Sequence, residues 1–346
     1  MKNHDLKKDP MKMKIKLLLT LYLFGSLSLP ATAKTMDGAY HRCLVDSLAE
    51  AESQTTVGDI RKACREKTAK SAQEQMLIPD DSVVAERLRE EKATEDNAFV
   101  ITPYLPNYIL LAAYNTAGVN ESPFEEAFPG KKTDLSDTEV KFQISFKFPL
   151  IKNLFGNNGD LYAAYTNRSF WQVYNTDSSP FRETNHQPEA WLRFYNGREF
   201  LGIRNVLNDI GVVHQSNGRS GSLSRSWNRI YARFVFEKDN LAFAIQPWYR
   251  IEESEDNDDN PDIEDYLGNF ELKGAYKQGE HTFGFMFRNN LDFDRNRGAA
   301  QLDWSFPIHG HLRGYVQWFN GYGESLIDYK RNVNSIGVGI KLTDWL

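Results

Sequence analysis

The chain has 346 residues, a formal net charge of −6 and two cysteines. A nucleic-acid-binding protein is expected to carry a basic surface, so the acidic balance, with a pI near 5.7, argues against that class and predicts no nucleic-acid partner. The mean hydropathy of −0.55 resembles that of a soluble protein. It does not exclude a transmembrane β-barrel, because barrel strands expose only alternate residues to lipid.

The first 33 residues have the layout of a cleaved secretory signal. Three lysines between residues 12 and 16 precede the apolar run 17–29, and an Ala-Thr-Ala sequence ends at residue 33. The apolar run is shorter than the roughly 20 residues that a spanning helix needs, so a retained anchor is not expected. Residues 1–33 are therefore predicted to be a signal peptide, and the mature chain is predicted to be exported.

Residues 34–96 are rich in Ala, Glu, Lys, Arg and Gln and have helical spacing, which predicts a small helical extension on the periplasmic side of the membrane. The only two cysteines of the sequence, Cys43 and Cys64, lie in this segment. In an exported protein a disulfide is the favoured interpretation, and here it would join two short helices around the turn at 55–59.

From about residue 97 the pattern changes to a period of two. The clearest case is 140–148, where apolar Val140, Phe142, Ile144, Phe146 and Phe148 alternate with Lys141, Gln143, Ser145 and Lys147. Twelve strands are expected, at 99–115, 138–150, 161–174, 187–196, 200–214, 226–236, 241–250, 265–277, 281–288, 299–307, 311–321 and 335–346. Short turns at 196–199, 237–240 and 278–280 alternate with longer segments such as 251–264 and 289–298.

This alternation of short and long connections is typical of outer-membrane barrels. An even number of strands also returns both termini to the periplasm, where the extension would lie. We therefore predict an all-β fold over 97–346, a twelve-stranded antiparallel transmembrane β-barrel with a small N-terminal helical extension. A water-soluble β-sandwich shows the same alternation of residues and remains the alternative on these features alone.

The segment 214–229 carries the candidate chemistry. His214 and Ser216 continue the apolar face of the strand that precedes them, and Asn228 shares a side with Ile230 on the next strand. In a barrel these three side chains would project toward lipid at the ends of two adjacent strands. Each of them alone is compatible with a hydrated residue at the membrane rim, because polar groups in hydrocarbon need partners or water.

Together the three residues supply a nucleophile, a base and an orienting amide, as nucleophilic acyl transfer requires. Ser216 would attack an ester carbonyl, and His214 would take and return the proton. Asn228 would accept the second imidazole N–H, and a neutral amide beside lipid avoids the desolvation cost of an ionised Asp. The backbone N–H of Gly218 could serve the developing oxyanion.

These residues resemble the active-site hairpin of the outer-membrane phospholipase A family. The resemblance rests on His214-x-Ser216-Asn217-Gly218-Arg219-Ser220, on 224–229, and on further matches at 178–185, 260–262 and 321–329. It extends over about residues 99–346 and leaves out the extension at 34–96. It implies an outer-membrane barrel that depends on Ca2+, is active as a homodimer, and hydrolyses acyl esters of membrane phospholipids with A1, A2 and lysophospholipase activity.

The resemblance also implies roles for single residues. His214, Ser216 and Asn228 match the catalytic base, nucleophile and orienting amide; the Arg219 carbonyl and Ser224 match calcium ligands, and Ser178 matches a ligand that the partner subunit supplies.

Two positions depart from the family pattern. Gly221 stands where some members carry an Asp linked to a second calcium position, which argues against a second calcium site and leaves Asp259 as an unsupported candidate for it. Asn167 stands where a Gln can bridge the dimer, which weakens the expectation of a strong dimer.

Two other classes of function remain open on the residues alone. A pore or structural barrel would place its functional polar residues inward, whereas His214 and Ser216 have outward parity. A secreted soluble esterase on a β-sandwich would be extractable without detergent. The acidic run 252–259 is interpreted as a solvated loop, because it lacks the regular oxygen-ligand spacing of a calcium-binding loop.

Overall fold

The computed structural model describes residues 36–49, 55–74, 82–95, 100–130, 134–156, 158–310 and 312–344. The predicted signal peptide at 1–33 lies outside these residues. The described chain forms a β-barrel with short helices at its N-terminal end.

Within the described residues, twelve long antiparallel strands make up the barrel wall. They are β1 (Asn107–Asn115), β2 (Thr138–Ile151), β3 (Asp160–Trp171), β4 (Phe181–Phe200), β5 (Ile203–Ser216), β6 (Ser226–Lys238), β7 (Leu241–Ile251), β8 (Phe270–Gln278), β9 (His281–Asn289), β10 (Gly298–His309), β11 (Leu312–Tyr322) and β12 (Asn332–Thr343). Each strand pairs with its neighbours in sequence, and β12 pairs with β1 to close the barrel. The predicted fold class is therefore confirmed.

The two faces of the strands follow the predicted alternation. On β2, Lys141 and Lys147 are 2% and 1% exposed, whereas Ile144 and Phe148 are 53% and 46% exposed. The polar side chains fill the lumen and the apolar ones form the outer surface. Apolar side chains that face outward and paired charges that lie inside are typical of a transmembrane barrel, not of a soluble sandwich.

The lumen is filled by aromatic side chains and ion pairs. Trp191, Trp227, Tyr231 and Trp248 belong to one buried cluster inside the barrel. Arg193 pairs with Asp209 at 2.9 Å. Because inward polar groups find partners within the lumen, the barrel can bury them without leaving uncompensated charge.

Some predicted boundaries are wrong. The predicted start of the first strand at residue 99 lies outside the described residues. The first long strand begins at Asn107, because Pro103 and Pro106 lack the N–H that a continuous strand ladder needs, and Thr102–Pro103 forms a separate short strand that pairs with β2. The eighth strand begins at Phe270 because the helical turn Glu264–Leu267 precedes it. That turn ends at Gly268, whose φ of 72° favours glycine.

The predicted turn at 196–199 is also wrong, since β4 continues to Phe200 and the chain reverses at Leu201 and Gly202. Both residues have positive φ, 53° and 72°, as a tight hairpin turn requires. A register shift between Tyr195 and Arg198 lengthens β4 by a bulge, which sequence periodicity does not reveal. The strand also begins earlier than expected, at Phe181, where it pairs with Trp171 of β3.

The described residues outside the barrel wall contain five α-helices: α1 (Met36–Ala49), α2 (Val57–Glu74), α3 (Val83–Glu95), α4 (Ser122–Ala127) and α5 (Glu264–Leu267). Cys43 in α1 and Cys64 in α2 form the expected disulfide. No helix within the described ranges is long and apolar enough to cross a membrane.

Helix α3 belongs with the barrel rather than with α1 and α2. Val84 and Leu88 of α3 lie in one apolar cluster with Leu207 of the barrel wall. Glu91 pairs with the buried Lys147 at 2.5 Å. The strand end that α3 contacts is the one with short turns, so the long loops and the residues that follow β5 lie at the opposite end.

Candidate active site

The hairpin of β5 and β6 brings His214 and Asn228 together. The two residues are direct cross-strand partners, a position that places Cβ atoms about 5 Å apart. His214 Nδ1 lies 2.8 Å from Asn228 Oδ1, within hydrogen-bond distance. Both side chains share the outward face with Val212 and Ile230, which are 52% and 44% exposed, as their parity predicted.

Ser216 is the last residue of β5, two positions beyond His214 on the same face. Its cross-strand partners are Ser226 on β6 and His186 on β4. Between His214 and Ser216, the side chain of Gln215 points inward and accepts a bond from Trp227 Nε1 at 2.9 Å. This inward bond ties β5 to β6 and therefore holds His214 and Ser216 on the outward face.

The loop after Ser216 is organised by Asn217. This buried side chain donates to the Leu223 carbonyl at 2.8 Å and accepts the backbone N–H of Arg225 at 3.0 Å. Gly218 follows with a φ of 64°, a left-handed conformation that favours glycine. A compact turn thus fixes the backbone near Ser216, where an oxyanion donor would have to lie.

The residues proposed as calcium ligands lie in two loops. Arg219 and Ser224 flank the short 3₁₀ turn Gly221–Leu223, and Ser224 Oγ donates to Asp259 Oδ2 at 2.6 Å. Ser178 is exposed in the separate loop between β3 and β4. Among the described residues, no group of three or more His, Cys, Asp or Glu side chains could hold a metal ion. A cation here would therefore need carbonyl and hydroxyl oxygens besides Asp259.

The other motifs that carry the family resemblance support this hairpin from the lumen side through hydrogen bonds. Glu183 accepts the backbone N–H of Ile327 at 3.1 Å, and Asp262 accepts the Tyr329 hydroxyl at 2.5 Å. The fully buried Asn260 accepts the backbone N–H of Ser226 at 3.0 Å. The motifs at 178–185, 260–262 and 321–329 thus lie together on the lumen side of the site, where they are joined by hydrogen bonds between polar groups.

Two side chains near the site were missed by the sequence analysis. Asn228 Nδ2 donates to Glu253 Oε1 at 2.8 Å, so the pair extends to a carboxylate in the loop after β7. His186 lies beside Ser216, with Nδ1 at 2.6 Å from the Tyr165 hydroxyl. Strand parity could have indicated Glu253, because Asn228 is the cross-strand partner of Ile251, two residues earlier.

The fold and the site together define a class: transmembrane β-barrels with a candidate hydrolytic site on the outer wall. The family model for phospholipase A1 matches residues 84–342. The phospholipases A1 of Salmonella typhimurium and of Escherichia coli K12 are each 40% identical over 266 residues, covering 76% of this chain and 87% of theirs.

Solved structures agree with the sequence comparisons. Outer membrane phospholipase A from Escherichia coli superposes with a TM-score of 0.66 at 38% identity, over 72% of this chain and all of the other. A dimer of the Salmonella typhi outer membrane phospholipase with bound calcium gives a TM-score of 0.69 at 37% identity, over 77% and 99% of the two chains. The chain belongs to the phospholipase A1 family.

The family match extends further toward the N-terminus than the motifs that carry the resemblance. It begins at residue 84, within α3, and so includes most of that helix. This agrees with the packing of α3 against the barrel. The disulfide-linked helices α1 and α2 precede the matched region.

Proposed function

We propose that the chain is a calcium-dependent phospholipase of the bacterial outer membrane that hydrolyses acyl esters of phospholipids at both the A1 and A2 positions and in lysophospholipids. The observation that carries the proposal is the hydrogen bond from His214 to Asn228 on the outward wall, next to Ser216. An outward site can reach lipid acyl chains without a path through the lumen. The relatives named phospholipase A1 support the same substrate class.

In the proposed mechanism, His214 Nδ1–H donates to Asn228 Oδ1, which leaves Nε2 to accept the Ser216 proton. Ser216 Oγ attacks the ester carbonyl, and a covalent acyl-enzyme forms. The proton on Nε2 passes to the departing alcohol. His214 then takes a proton from water, which attacks the acyl-enzyme, and returns that proton to Ser216 Oγ as the bond to the acyl group breaks and the fatty acid leaves. The Gly218 N–H donates to the oxyanion.

A calcium ion fits the oxygen donors of this region. The Arg219 carbonyl and the Ser224 hydroxyl flank one short turn, and Asp259 adds a carboxylate beside Ser224. Such hard oxygen ligands suit Ca2+. When bound, the ion would supply positive charge for an oxyanion. The bound calcium in the Salmonella typhi structure supports this assignment. Asp259 would add an anionic ligand beside Ser224, although Gly221 stands where some family members carry an Asp.

We further propose that the active form is a homodimer in which Ser178 serves the partner's site. Ser178 is exposed, in the loop that leads into β4, next to the strand carrying Ser216. In a mixed dimer of a Ser216→Ala subunit and a Ser178→Ala subunit, the second keeps its nucleophile and borrows an intact Ser178. At limiting calcium this mixture should exceed either mutant alone. Purely additive activity in verified mixed dimers would contradict the assignment.

The topology and processing of the chain are part of the same proposal. Residues 1–33 would be removed as a signal peptide, and the helical segment 34–96, with its Cys43–Cys64 disulfide, would precede the region 97–346 that contains the barrel strands. The N-terminal helices would lie in the periplasm. Mass spectrometry of the mature protein, together with protease protection in intact cells, tests the cleavage site and the side on which the helices lie.

The main experiment measures fatty-acid release from mixed phospholipid and detergent micelles, with calcium and with a chelator. Ser216→Ala should remove nearly all activity, because no acyl-enzyme can form. His214→Ala should match it, since members of one catalytic unit do not contribute additively. Asn228→Ala should leave a measurable remainder. Wild-type turnover by a folded Ser216→Ala variant would refute the mechanism.

A pore is the second candidate that a barrel suggests. The lumen argues against it, because Lys141, Lys147 and Lys341 are buried at 2%, 1% and 0% exposure. A water-filled channel would leave such charges hydrated. Conductance measurements in planar bilayers test this alternative, and steady ion conductance by the folded protein would favour the pore.

A further inference from the structure

The amide of Asn228 is held at both ends. Its Oδ1 faces His214 Nδ1 at 2.8 Å, and its Nδ2 donates to Glu253 Oε1 at 2.8 Å. An ionised carboxylate only accepts hydrogen bonds, so Glu253 requires the N–H side of the amide to face it. The oxygen of the amide must then face His214. Glu253 therefore determines which way an otherwise symmetric-looking amide points.

The same carboxylate supplies a charge that an amide lacks. A neutral Asn can orient an imidazole but cannot balance the positive charge that the ring acquires during the reaction. The two hydrogen bonds and the amide between them place Glu253 Oε1 within roughly 8 Å of the ring, close enough for a partly buried charge to be felt. Glu253 is half-buried in the loop after β7, so its charge lies beyond the strand ends rather than on the apolar wall.

The position of Glu253 follows from the strands. Asn228 pairs in register with Ile251 of β7, and Glu253 is two residues further along with the same parity. Other acidic residues of this loop are engaged elsewhere: Asp258 pairs with Arg250 at 2.6 Å, and Asp259 accepts from Ser224 at 2.6 Å. Glu253 contacts the Asn228 side of the His214–Asn228 pair.

We propose that Glu253 is a positioning residue that extends the catalytic unit to four members, Ser216, His214, Asn228 and Glu253. It acts through Asn228, first by orienting the amide and second by stabilising the charged imidazole. This inference rests on the proposed function of Ser216 and His214, and it assigns the loop after β7 a part in catalysis.

The first test separates the charge from the hydrogen bond. In Glu253→Gln the side chain can still accept the Asn228 N–H, so the hydrogen bond can be kept while the charge and the strict requirement for an acceptor are lost. Glu253→Ala loses the hydrogen bond as well. Glu253→Gln should lower kcat about five- to tenfold with KM unchanged, the effect of removing a unit charge at roughly 8 Å in an effective dielectric of about 30 to 40. Glu253→Ala should lower kcat further. The matched control is Glu255→Gln, the same charge change at an exposed position of the loop.

The second test reverses the sign of the effect. In Asn228→Asp the new carboxylate faces Glu253, and two like charges at hydrogen-bond distance repel each other. Adding Glu253→Gln to that variant should raise kcat, although the same change lowers it in the wild type. A residue that merely supports the loop would lower activity in both backgrounds. Folding of every variant is checked by heat-modifiable gel mobility.

The outcomes distinguish the two proposals. If the wild type releases no fatty acid, or Ser216→Ala remains active, the proposed function fails and the inference fails with it. If the wild type is active and Ser216→Ala is not, but Glu253→Gln behaves like Glu255→Gln or acts in the same direction in both backgrounds, the inference alone is overturned. A selective fall in kcat with the sign reversal supports it.

Discussion

The ion pair between Glu91 and Lys147 should hold α3 against the barrel. The two side chains are 10% and 1% exposed and their charged atoms lie 2.5 Å apart. Arg87 of the same helix contacts Glu91 at 3.0 Å. The perturbation is a pair of single substitutions, Glu91→Gln and Lys147→Met, together with the double variant.

The expected magnitudes differ between the two partners. Glu91→Gln leaves the more deeply buried Lys147 without its carboxylate, and losing one partner of a buried pair costs about 3 to 5 kcal/mol. Lys147→Met should cost less, because Glu91 keeps Arg87. The double variant removes both charges and should recover to within about 1 to 2 kcal/mol of the wild type, since a buried pair replaced as a whole is often nearly neutral.

Hydrogen exchange of the α3 amides in detergent micelles measures the free energy of local opening, and urea unfolding reports on the barrel. We expect the single variants to lose protection in α3 alone, and we expect the double variant to be better protected there than Glu91→Gln. Phospholipase activity should change little, because the pair lies at the short-turn end, far from Ser216. Simple addition of the two single effects in the double variant would refute the reasoning.

Three further predictions follow from the same structure. Burial alone would raise the pKa of Glu91, but the charges of Lys147 and Arg87 outweigh burial and lower that pKa. The ion pair should therefore stabilise the packing of α3 fully above the ordinary carboxyl pKa, and this stabilisation should be lost as the pH falls through the lowered value. Hydrogen exchange of the α3 amides from pH 6 downward measures the loss. Cys43→Ser should leave fatty-acid release near the wild-type level, since the disulfide precedes the region matched to the family; a large loss would show that α1 and α2 act on the barrel. Gly211→Ala should destabilise the barrel by about 1 to 3 kcal/mol in urea unfolding, because a Cβ there would lie 2.7 Å from the Ala190 carbonyl oxygen of the neighbouring strand β4. Unchanged stability would show that the strands can separate to accept it.

Much of this molecule can be predicted from local patterns. The alternation of Lys141 and Lys147 with Ile144 and Phe148 correctly indicated which face of β2 turns inward. Side chains alternate strictly along a strand, so parity alone placed His214 on the outer wall. His214 and Asn228 lie on adjacent strands and are 14 residues apart in the sequence, so their pairing was accessible from local pattern.

Features that depend on distant segments were not accessible. The predicted turn at 196–199 failed because a bulge shifted the register of β4, and a bulge has no strong signature in a single sequence. Helix α3 was assigned to an outlying extension because its composition is charged, yet Glu91 meets its partner on β2, 56 residues away. Glu91 is therefore paired with a buried lysine of the barrel rather than hydrated.

The sequence by itself determined the fold class, the family and the outward position of His214 and Ser216, since strand periodicity and a local motif encode them. Only the tertiary structure decided that Glu253 completes the contacts of Asn228 and that the motif containing Glu183 supports the hairpin from within the lumen. The physical reason is that hydrogen bonds between loops depend on how a closed barrel brings strand ends together. No spacing along the chain specifies that arrangement.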